Sequence, residues 1–419
     1  MLSFSSLAVR ASARQAVVRS SASIVAARSS NRRPLDRRDL NLDNTRSFSS
    51  AHSQSTRRVG QGGVILFDHS RKAHGRDQLR HFATTNPNPP LGKKNSSNDV
   101  PSRVGLIGAR GYTGQALVDL LNNHPFMDLR YVSSRELKGQ ELQGYTKRKI
   151  IYDTLSPEDV AQLDKEGKVD CWVMALPNGV CAPYVEALDR VEKSGEHKSV
   201  IVDLSADNRF DESKFTYGLP ELTKRSEICR STRISNPGCY ATGAQLAIAP
   251  LVPYIQGQPV VFGVSGYSGA GVKPSPKNDP KLLKDNLIPY SLTGHIHEQE
   301  ISHHLGTSVA FIPHVASWFR GILLTVSIPL SKAMSSRDVR QLYQDRYAGE
   351  ELVKVVGDAP LVRSIANQHH VDIGGFAMDS TGTRVVVCAT IDNLSKGAST
   401  QCLQNMNLAL GYAEYEGIC

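Results

Sequence analysis

The sequence predicts an α/β protein with two domains, and three observations support this. The chain of 419 residues is long enough to bury two hydrophobic cores. Near residue 103 a short apolar strand is followed by a glycine-rich turn and a helical run. Towards the carboxyl end, strand patterns outnumber helical ones. We therefore expect a Rossmann-type dinucleotide-binding domain and an α+β catalytic domain with a mostly antiparallel sheet.

The positive charge is concentrated at the amino end of the chain. The net charge is +9, but residues 1–100 carry 17 basic and 6 acidic side chains, which leaves the remainder close to neutral at −2. This distribution does not favour a nucleic-acid partner. No apolar run is long enough for a membrane span. The seven cysteines form no C-x-x-C pair, so neither a zinc site nor a disulfide framework is indicated.

The first residues have the composition of a targeting peptide. Residues 1–35 contain six arginines and nine serines but no acidic residue, which is typical of organellar transit peptides. We predict a mitochondrial transit peptide over residues 1–48, with cleavage after Phe48, and a disordered linker over residues 49–101. The predicted location is the mitochondrial matrix, with the chloroplast stroma as the alternative.

The glycine turn predicts a dinucleotide site. The strand Val104–Ile107 leads into three glycines spaced G-x-x-G-x-x-G and then into the helical run Gln115–Leu121. Backbone N–H groups and the helix N-terminus can approach a pyrophosphate at such a turn. The predicted cofactor-binding residues of this turn are Gly108, Arg110, Gly111, Tyr112, Thr113 and Gly114.

The next strands indicate which dinucleotide binds. The strand Asp128–Ser133 ends in Ser133, Ser134 and Arg135, where an NAD-selective site usually has a carboxylate. Hydroxyl groups and an arginine suit the 2′-phosphate of NADP(H) instead. The alternative for Arg135 is an ordinary solvated loop arginine. Pro177 and Asn178, at the carboxyl end of a later strand, are predicted to line the same crevice.

Cys239 is the predicted nucleophile. It follows Pro237 and Gly238 at the start of a helical run. Free N–H groups and the helix dipole at that position predict a thiol pKa below its ordinary ~8.5. The alternative interpretation is a buried structural cysteine.

Several segments together resemble one enzyme family. Residues Asn236–Gly243 closely resemble the active-site signature of N-acetyl-gamma-glutamyl-phosphate reductases, which are related to aspartate-semialdehyde dehydrogenases and, more distantly, to glyceraldehyde-3-phosphate dehydrogenases. The further matching segments are Gly108–Gly114, Asp203–Arg209, Tyr217–Glu221, His295–Ile301, Arg320–Ile322 and Asn393–Ala398. Asn208 and Ile296 depart from the family pattern. The resemblance extends over residues 103–419.

The resemblance implies an activity and a set of roles. It implies NADPH-dependent reduction of N-acetyl-gamma-glutamyl phosphate to the semialdehyde through a Cys239 thioester, in arginine biosynthesis. His297 is the expected base, with His295 second, and no metal is expected. The expected substrate contacts are Ser205, Arg209, Asn236, His295 and Arg320, and Gly269 and Asn393 add to the cofactor site. For Arg209, an ion pair with Asp207 or Asp211 remains equally open.

The resemblance also implies an organisation and partners. We expect residues 102–238 and 394–419 to form the NADP-binding domain and residues 239–393 the catalytic and dimerisation domain. A homodimer or homotetramer is expected, and association with the upstream acetylglutamate kinase is an open alternative. Three other functions remain open: the same chemistry on an aspartyl or aminoadipyl phosphate, a cysteine hydrolase or acyltransferase, and a nucleotide-sensing subunit.

Overall fold

The computed structural model describes residues 100–195 and 198–418. The predicted transit peptide and nearly all of the predicted linker lie outside these residues. The helices are α1 (Tyr112–Asn123), α2 (Pro157–Lys165), α3 (Ala182–Ser194), α4 (Arg225–Arg230), α5 (Cys239–Ile248), α6 (Pro280–Leu283), α7 (Ile296–Leu305), α8 (Ser336–Arg346), α9 (Val362–Ile365) and α10 (Thr400–Leu410). The strands are β1 (Ser102–Ile107), β2 (Met127–Ser133), β3 (Cys171–Met174), β4 (Val200–Asp203), β5 (Thr216–Tyr217), β6 (Arg233–Ser235), β7 (Val260–Gly266), β8 (Ile288–Pro289), β9 (Ala310–Ala316), β10 (Ile322–Pro329), β11 (Val353–Val355), β12 (Val371–Met378) and β13 (Arg384–Ile391).

The first sheet is six-stranded and parallel, in the order β2-β1-β3-β4-β6-β5. Every residue of β3 and β4 is buried, as expected for strands covered on both faces. One face packs with α1 and α10 around Leu106, Leu117 and Met406. The other face packs with α2 and α3 around Trp172 and Leu188. The C-terminal helix is therefore part of the core of this sheet.

The second sheet is seven-stranded, in the order β11-β12-β13-β10-β7-β9-β8. Two pairings, β11 with β12 and β7 with β9, are parallel, and the other four are antiparallel. The predicted mostly antiparallel sheet is thus confirmed. Alternate residues of β10 are fully buried, which gives the sheet one covered face and one open face. The open face exposes Val260 and Phe262.

Helix α5 lies on the covered face of the second sheet. All of its residues from Tyr240 to Ile248 are buried, and it packs against β10 and β13. A helix that is apolar on every side is expected to be buried in this way. Its N-terminus, with Cys239, points towards the first sheet, because Asn236 at the end of β6 bonds to the carbonyl of Asp203 in β4.

Two features differ from the sequence prediction. The segment after β13 was expected to enter a helix directly, but it forms a π-helical turn over Ser395–Ser399 before α10 begins. Helix α7, which carries His297 and has His295 as its N-cap, was not recognised as a helix from its polar sequence. No helix within the described part of the chain is long and apolar enough to cross a bilayer.

Candidate active site

Cys239 is the first residue of α5, and Gly238 is its N-cap. The N–H groups of Cys239 and Tyr240 donate towards the thiol. The π-helical turn closes one side of the site, because a Cβ built on Gly397 would lie 2.7 Å from the Cβ of Cys239. Glycine is therefore required there. Part of the Cys239 surface remains open to solvent, which leaves access for a substrate.

The predicted lowering of the Cys239 pKa is wrong. Burial raises the pKa of the thiol to about 11, although the Tyr240 N–H and the positive charge of Arg209 act in the opposite direction. Desolvation therefore outweighs the helix terminus. The resting thiol is protonated at neutral pH, and the site needs a base to remove its proton.

His297 is placed to be that base. A Cβ built on Gly238 would lie 2.3 Å from the Nε2 atom of His297, so the imidazole lies directly over the residue that precedes Cys239. Burial lowers the pKa of His297 well below its ordinary value, and the charges of Arg209 and His295 lower it further. The ring is therefore neutral at pH 7 and able to accept a proton.

His295 lies beside His297. It is the N-cap of α7, and its Nδ1 accepts a hydrogen bond from the His297 N–H at 3.0 Å. The two rings meet edge to face with their centroids 4.9 Å apart. Burial lowers the pKa of His295, and the nearby charge of Lys277 lowers it further. Both histidines therefore face one region, with His297 nearer to Gly238.

Arg209 and Glu300 form a buried ion pair beneath the Cys239 loop. Their side chains are 6% and 0% exposed, and Arg209 Nη1 donates to Glu300 Oε2 at 2.8 Å. Glu300 Oε1 accepts from the Gly238 N–H and from the Tyr217 hydroxyl, each at 2.8 Å. Arg209 also donates through Nε to the Asn236 carbonyl at 2.9 Å. The partner of Arg209 is thus Glu300, and neither Asp207 nor Asp211 pairs with it.

Two predicted substrate contacts are engaged within the protein. The Ser205 hydroxyl donates to Asp203 at 2.9 Å. The Asn236 amide accepts from Asn405 at 3.0 Å and donates to the Ala398 carbonyl at 3.3 Å. These contacts fix the loops around Cys239, and the expected substrate contacts of both side chains stay predictions.

Arg320 is likewise held by protein groups. Its Nη2 donates to Asp392 Oδ1 and to the Ser395 hydroxyl, both at 2.9 Å, and its Nη1 donates to Asn367 at 2.7 Å. Asp392 is fully buried and also accepts from the N–H groups that begin the π-helical turn. These contacts tie Arg320 to the π-helical turn, and its expected contact with the substrate stays a prediction.

Two predicted cofactor residues of the second half lie together. Asn393 donates to the Ser268 hydroxyl at 2.9 Å and accepts from the Gly321 N–H at 2.8 Å. A Cβ built on Gly269 would lie 3.8 Å from the Asn393 amide nitrogen. Gly269 is exposed, so its short 3₁₀ turn presents backbone to the crevice.

The glycine turn after β1 has the geometry of a dinucleotide site. Gly108 has φ +91°, and a Cβ there would lie 2.1 Å from the Ala175 carbonyl oxygen. A Cβ on Gly114 would lie 2.8 Å from the backbone of Ala109, so this glycine allows α1 to pack against the turn. A Cβ on Gly111, the N-cap of α1, would make only an ordinary contact, 3.7 Å from the Gly108 carbonyl oxygen. These three positions match the turn, packing and close-approach roles of a dinucleotide fingerprint.

The remaining residues of this turn lie around its opening. Thr113 is in the first turn of α1 and is partly exposed. Tyr112 contacts Phe319 edge to face at 5.1 Å, which links the glycine turn to the loop before β10. Arg110 is exposed and lies 3.4 Å from a carboxylate oxygen of Glu136.

The residues predicted to contact a 2′-phosphate lie at the end of β2 and just after it. Ser133 is buried, and its carbonyl accepts from the Gly108 N–H, which ties β2 to the glycine turn. The Ser134 hydroxyl donates to Glu136 at 3.4 Å. Arg135 is exposed, and within residues 100–195 and 198–418 its guanidinium makes no hydrogen bond or salt bridge. Its charge acts on Glu136 and Tyr184, but its guanidinium donors are available to a ligand phosphate.

Pro177 and Asn178 follow β3 at the same edge of the sheet and are exposed. The Asn178 side chain accepts from the Ala206 N–H at 3.0 Å, and the Gly179 N–H donates to Asp207 at 2.8 Å. The turns after β3 and β4 are thus joined.

Four residues near the site were not assigned a role from the sequence: Glu300, Gly397, Lys277 and Glu136. Lys277 Nζ lies 4.6 Å from the Tyr290 ring centroid, and its charge acts on His295. It is a cation close to the histidines and a candidate contact for an anionic substrate. The lysine-rich stretch between residues 273 and 284 was the available signal for it.

Two family models match consecutive parts of the chain. Residues 103–230 match the "Semialdehyde dehydrogenase, NAD binding domain", and residues 239–393 match the "Semialdehyde dehydrogenase, dimerisation domain". An N-acetyl-gamma-glutamyl-phosphate reductase from Xanthomonas axonopodis pv. citri is 48% identical over 321 residues, which cover 76% of this chain and 98% of that protein.

A longer relative and a solved structure complete the comparison. "Protein arg-6, mitochondrial" from Neurospora crassa is 68% identical over 338 residues, or 81% of this chain, but the chain spans only 39% of that protein. The crystal structure of aspartate semialdehyde dehydrogenase II from Vibrio cholerae complexed with ASA superposes with a TM-score of 0.60 at 17% identity. It covers 74% of this chain and 98% of that one, and it shows the shared fold.

Proposed function

Since the chain belongs to the N-acetyl-gamma-glutamyl-phosphate reductase family, we propose that it reduces N-acetyl-gamma-glutamyl phosphate to N-acetylglutamate 5-semialdehyde in arginine biosynthesis. One observation carries this proposal: a neutral His297 lies over Gly238, the residue that precedes Cys239 at the N-terminus of α5. A nucleophile, a base and free backbone donors are therefore held together.

The first half of the reaction is acyl transfer to Cys239. His297 Nε2 accepts the thiol proton while the sulfur attacks the acyl carbon, and the bond from that carbon to the phosphate oxygen breaks. A thioester and inorganic phosphate result. The N–H groups at the start of α5 stabilise the oxygen that becomes negative during the attack. Glu300 keeps Gly238 in place by accepting its N–H.

The second half requires a hydride donor in the crevice beside the glycine turn. Gly108, Gly111 and Gly114 fit a pyrophosphate there, since the close approach of backbone to backbone leaves no room for a Cβ at the first and third positions. NADPH, when bound, supplies the hydride that reduces the thioester carbonyl. When the carbon–sulfur bond then breaks, His297 returns its proton and Cys239 regains its thiol.

The assay for this proposal runs the reaction in reverse. We expect phosphate-dependent reduction of NADP⁺ with N-acetylglutamate semialdehyde, and no comparable rate with aspartate semialdehyde. Cys239→Ser is the matched control, because it should bind NADPH but not turn over. Equal rates with both aldehydes would transfer the proposal to the aspartyl alternative. Full activity of Cys239→Ser would refute it.

A second proposal concerns assembly through the open face of the seven-stranded sheet. Val260 and Phe262 are 37% and 38% exposed there, which is unusual for two apolar residues on one strand. The family model for residues 239–393 is described as a dimerisation domain, which supports a homodimer or a homotetramer. Phe262→Glu should dissociate the assembly in light scattering, and an unchanged mass would contradict this surface.

Location and the kinase partner are proposals of the same kind. The similarity to mitochondrial fungal proteins supports a mitochondrial location, and we propose the matrix.

An acyl phosphate is hydrolytically labile, so association with the acetylglutamate kinase that produces it would shorten its exposure to water. Co-purification of tagged chain with that kinase tests the association, and separate elution of the two proteins would contradict it.

A further inference from the structure

A cluster of metal-type ligands lies at the carboxyl end of α7. His303 Nε2 is 3.3 Å from a Glu212 carboxylate oxygen, and His304 Nδ1 is 3.7 Å from the same oxygen. The three ligand atoms lie within 4.8 Å of one another. Ligand atoms around a tetrahedral zinc ion, bonded at ~2.0–2.2 Å, are separated by about 3.3–3.5 Å. Small side-chain rotations would therefore complete a metal site.

The hydrogen bond of His304 orients its free nitrogen. His304 Nε2 lies 2.9 Å from the carbonyl oxygen of Arg209, which can only accept, so Nε2 carries the hydrogen. In the neutral ring Nδ1 then has a free lone pair, and it faces the Glu212 carboxylate, which is also an acceptor. Two acceptors facing each other favour a cation between them. A backbone carbonyl that fixes the ligand tautomer is the usual second shell of a histidine–metal site.

The surroundings hold the two imidazoles and favour positive charge. The His304 ring stacks on Tyr217 with centroids 3.5 Å apart, and the His303 ring meets Phe210 at 5.6 Å. Both histidines are in the last turn of α7, which ends at Leu305 with Gly306 as its C-cap. The negative end of the helix dipole stabilises a cation there.

We propose that Glu212, His303 and His304 bind a divalent transition metal of the zinc class, with water completing the coordination. Two imidazoles and one carboxylate suit Zn²⁺ and disfavour Mg²⁺, which prefers oxygen ligands. The site is coupled to the thiol through Arg209: its carbonyl holds His304, and its side chain pairs with Glu300, which holds Gly238. A bound metal would thus restrain the loop that positions Cys239.

The binding test is a competition between the chain and a chromophoric chelator for Zn²⁺. It uses Cys239→Ser as the background, since the thiolate is itself a zinc ligand. Glu212→Gln and His303→Ala change exposed side chains, and each should weaken the binding of one Zn²⁺ by at least ~10-fold. His304→Gln should do the same while its amide retains a donor for the Arg209 carbonyl. His370→Ala, which removes an imidazole 3.3 Å from Asp372, is the matched control and should have no effect.

Unchanged affinity in Glu212→Gln and His303→Ala, or an equal loss in His370→Ala, would overturn the site. The coupling is tested in the chain with Cys239 intact, and this part alone depends on the proposed reductase activity. Zn²⁺ should change kcat/KM by at least ~5-fold in the wild type, beyond its effect on Glu212→Gln. If Zn²⁺ binds but changes kcat/KM equally in the wild type and in Glu212→Gln, the coupling is overturned. The chelator competition gives its result even if the reductase assay fails.

Discussion

Replacing Glu300 by glutamine tests how the site is held together. The carboxylate is completely buried and accepts from Arg209, Tyr217 and Gly238 at 2.8 Å each. Glutamine has nearly the same shape but only one acceptor oxygen. If that oxygen keeps the Gly238 and Tyr217 bonds, the amide NH₂ faces the guanidinium of Arg209, donor against donor. Arg209 then remains buried without a counter-charge.

The expected loss of stability in Glu300→Gln follows from the burial of the Arg209–Glu300 ion pair. Removing one partner of a buried ion pair costs about 3–5 kcal/mol, and a single charged hydrogen bond is worth about 1.5–3 kcal/mol. Because glutamine retains two of the three bonds, we expect the free energy of unfolding to fall by about 3 kcal/mol. The thermal midpoint should fall by roughly 6–12 °C, at ~2–4 °C per kcal/mol. The freed Cys239 loop should lower kcat/KM by about 100-fold.

The assay combines thermal unfolding with the reductase rate, and Glu298→Gln is the matched control. Glu298 is on the same helix and accepts from the N–H groups of Gly294 and Phe311, but within residues 100–195 and 198–418 it forms no salt bridge. In Glu298→Gln the free energy of unfolding should fall by about 1 kcal/mol. In Glu300→Gln, a further Arg209→Met should restore stability but not activity, since it removes the unpaired charge without restoring the support of the loop. If Glu300→Gln has the same thermal midpoint and the same kcat/KM as Glu298→Gln, the Arg209–Glu300 pair does not hold the Cys239 loop.

Three further outcomes are expected. Arg135→Ala should raise the KM for NADPH by ~10–100-fold, for a lost charged hydrogen bond, and leave NADH unchanged; equal losses would show that it does not bind the 2′-phosphate. His297→Ala should lower kcat by ~10²–10⁴-fold. In the wild type, the lowered pKa of His297 keeps its imidazole neutral. A fall of kcat/KM on the acidic side that begins above pH 7 would therefore contradict the assignment of His297 as the base. The raised pKa of Cys239, about 11, predicts alkylation by iodoacetamide that still accelerates above pH 9; a plateau below pH 8 would contradict that pKa.

The fold was predictable where the signal is local. The turn that begins at Gly108 and the helix that begins at Cys239 are encoded in a few consecutive residues, and both occur as expected. Helix α7 was not predicted because its residues are mostly polar, including the buried Glu300, and so give no apolar period. The π-helical turn over Ser395–Ser399 escaped because it depends on Asp392, whose carboxylate accepts the N–H groups at its start.

The site was predictable in its residue types but not in its pairing. The partner of Arg209 is Glu300, 91 residues away, and the fully buried Lys396 donates to Glu221, 175 residues away. Such pairs exist only after the chain has folded. The sign of the Cys239 pKa shift was missed for the same reason, since the helix terminus is visible in the sequence and the desolvation is not.

The proposed thioester on Cys239 is tested most directly by trapping it. The chain is mixed with N-acetyl-gamma-glutamyl phosphate without NADPH, quenched in acid and digested for tandem mass spectrometry. We expect an N-acetylglutamyl thioester on Cys239, with one phosphate released per adduct. The adduct should be lost when NADPH is added before the quench. An adduct on another cysteine, or turnover with no acylation of Cys239, would contradict the central claim.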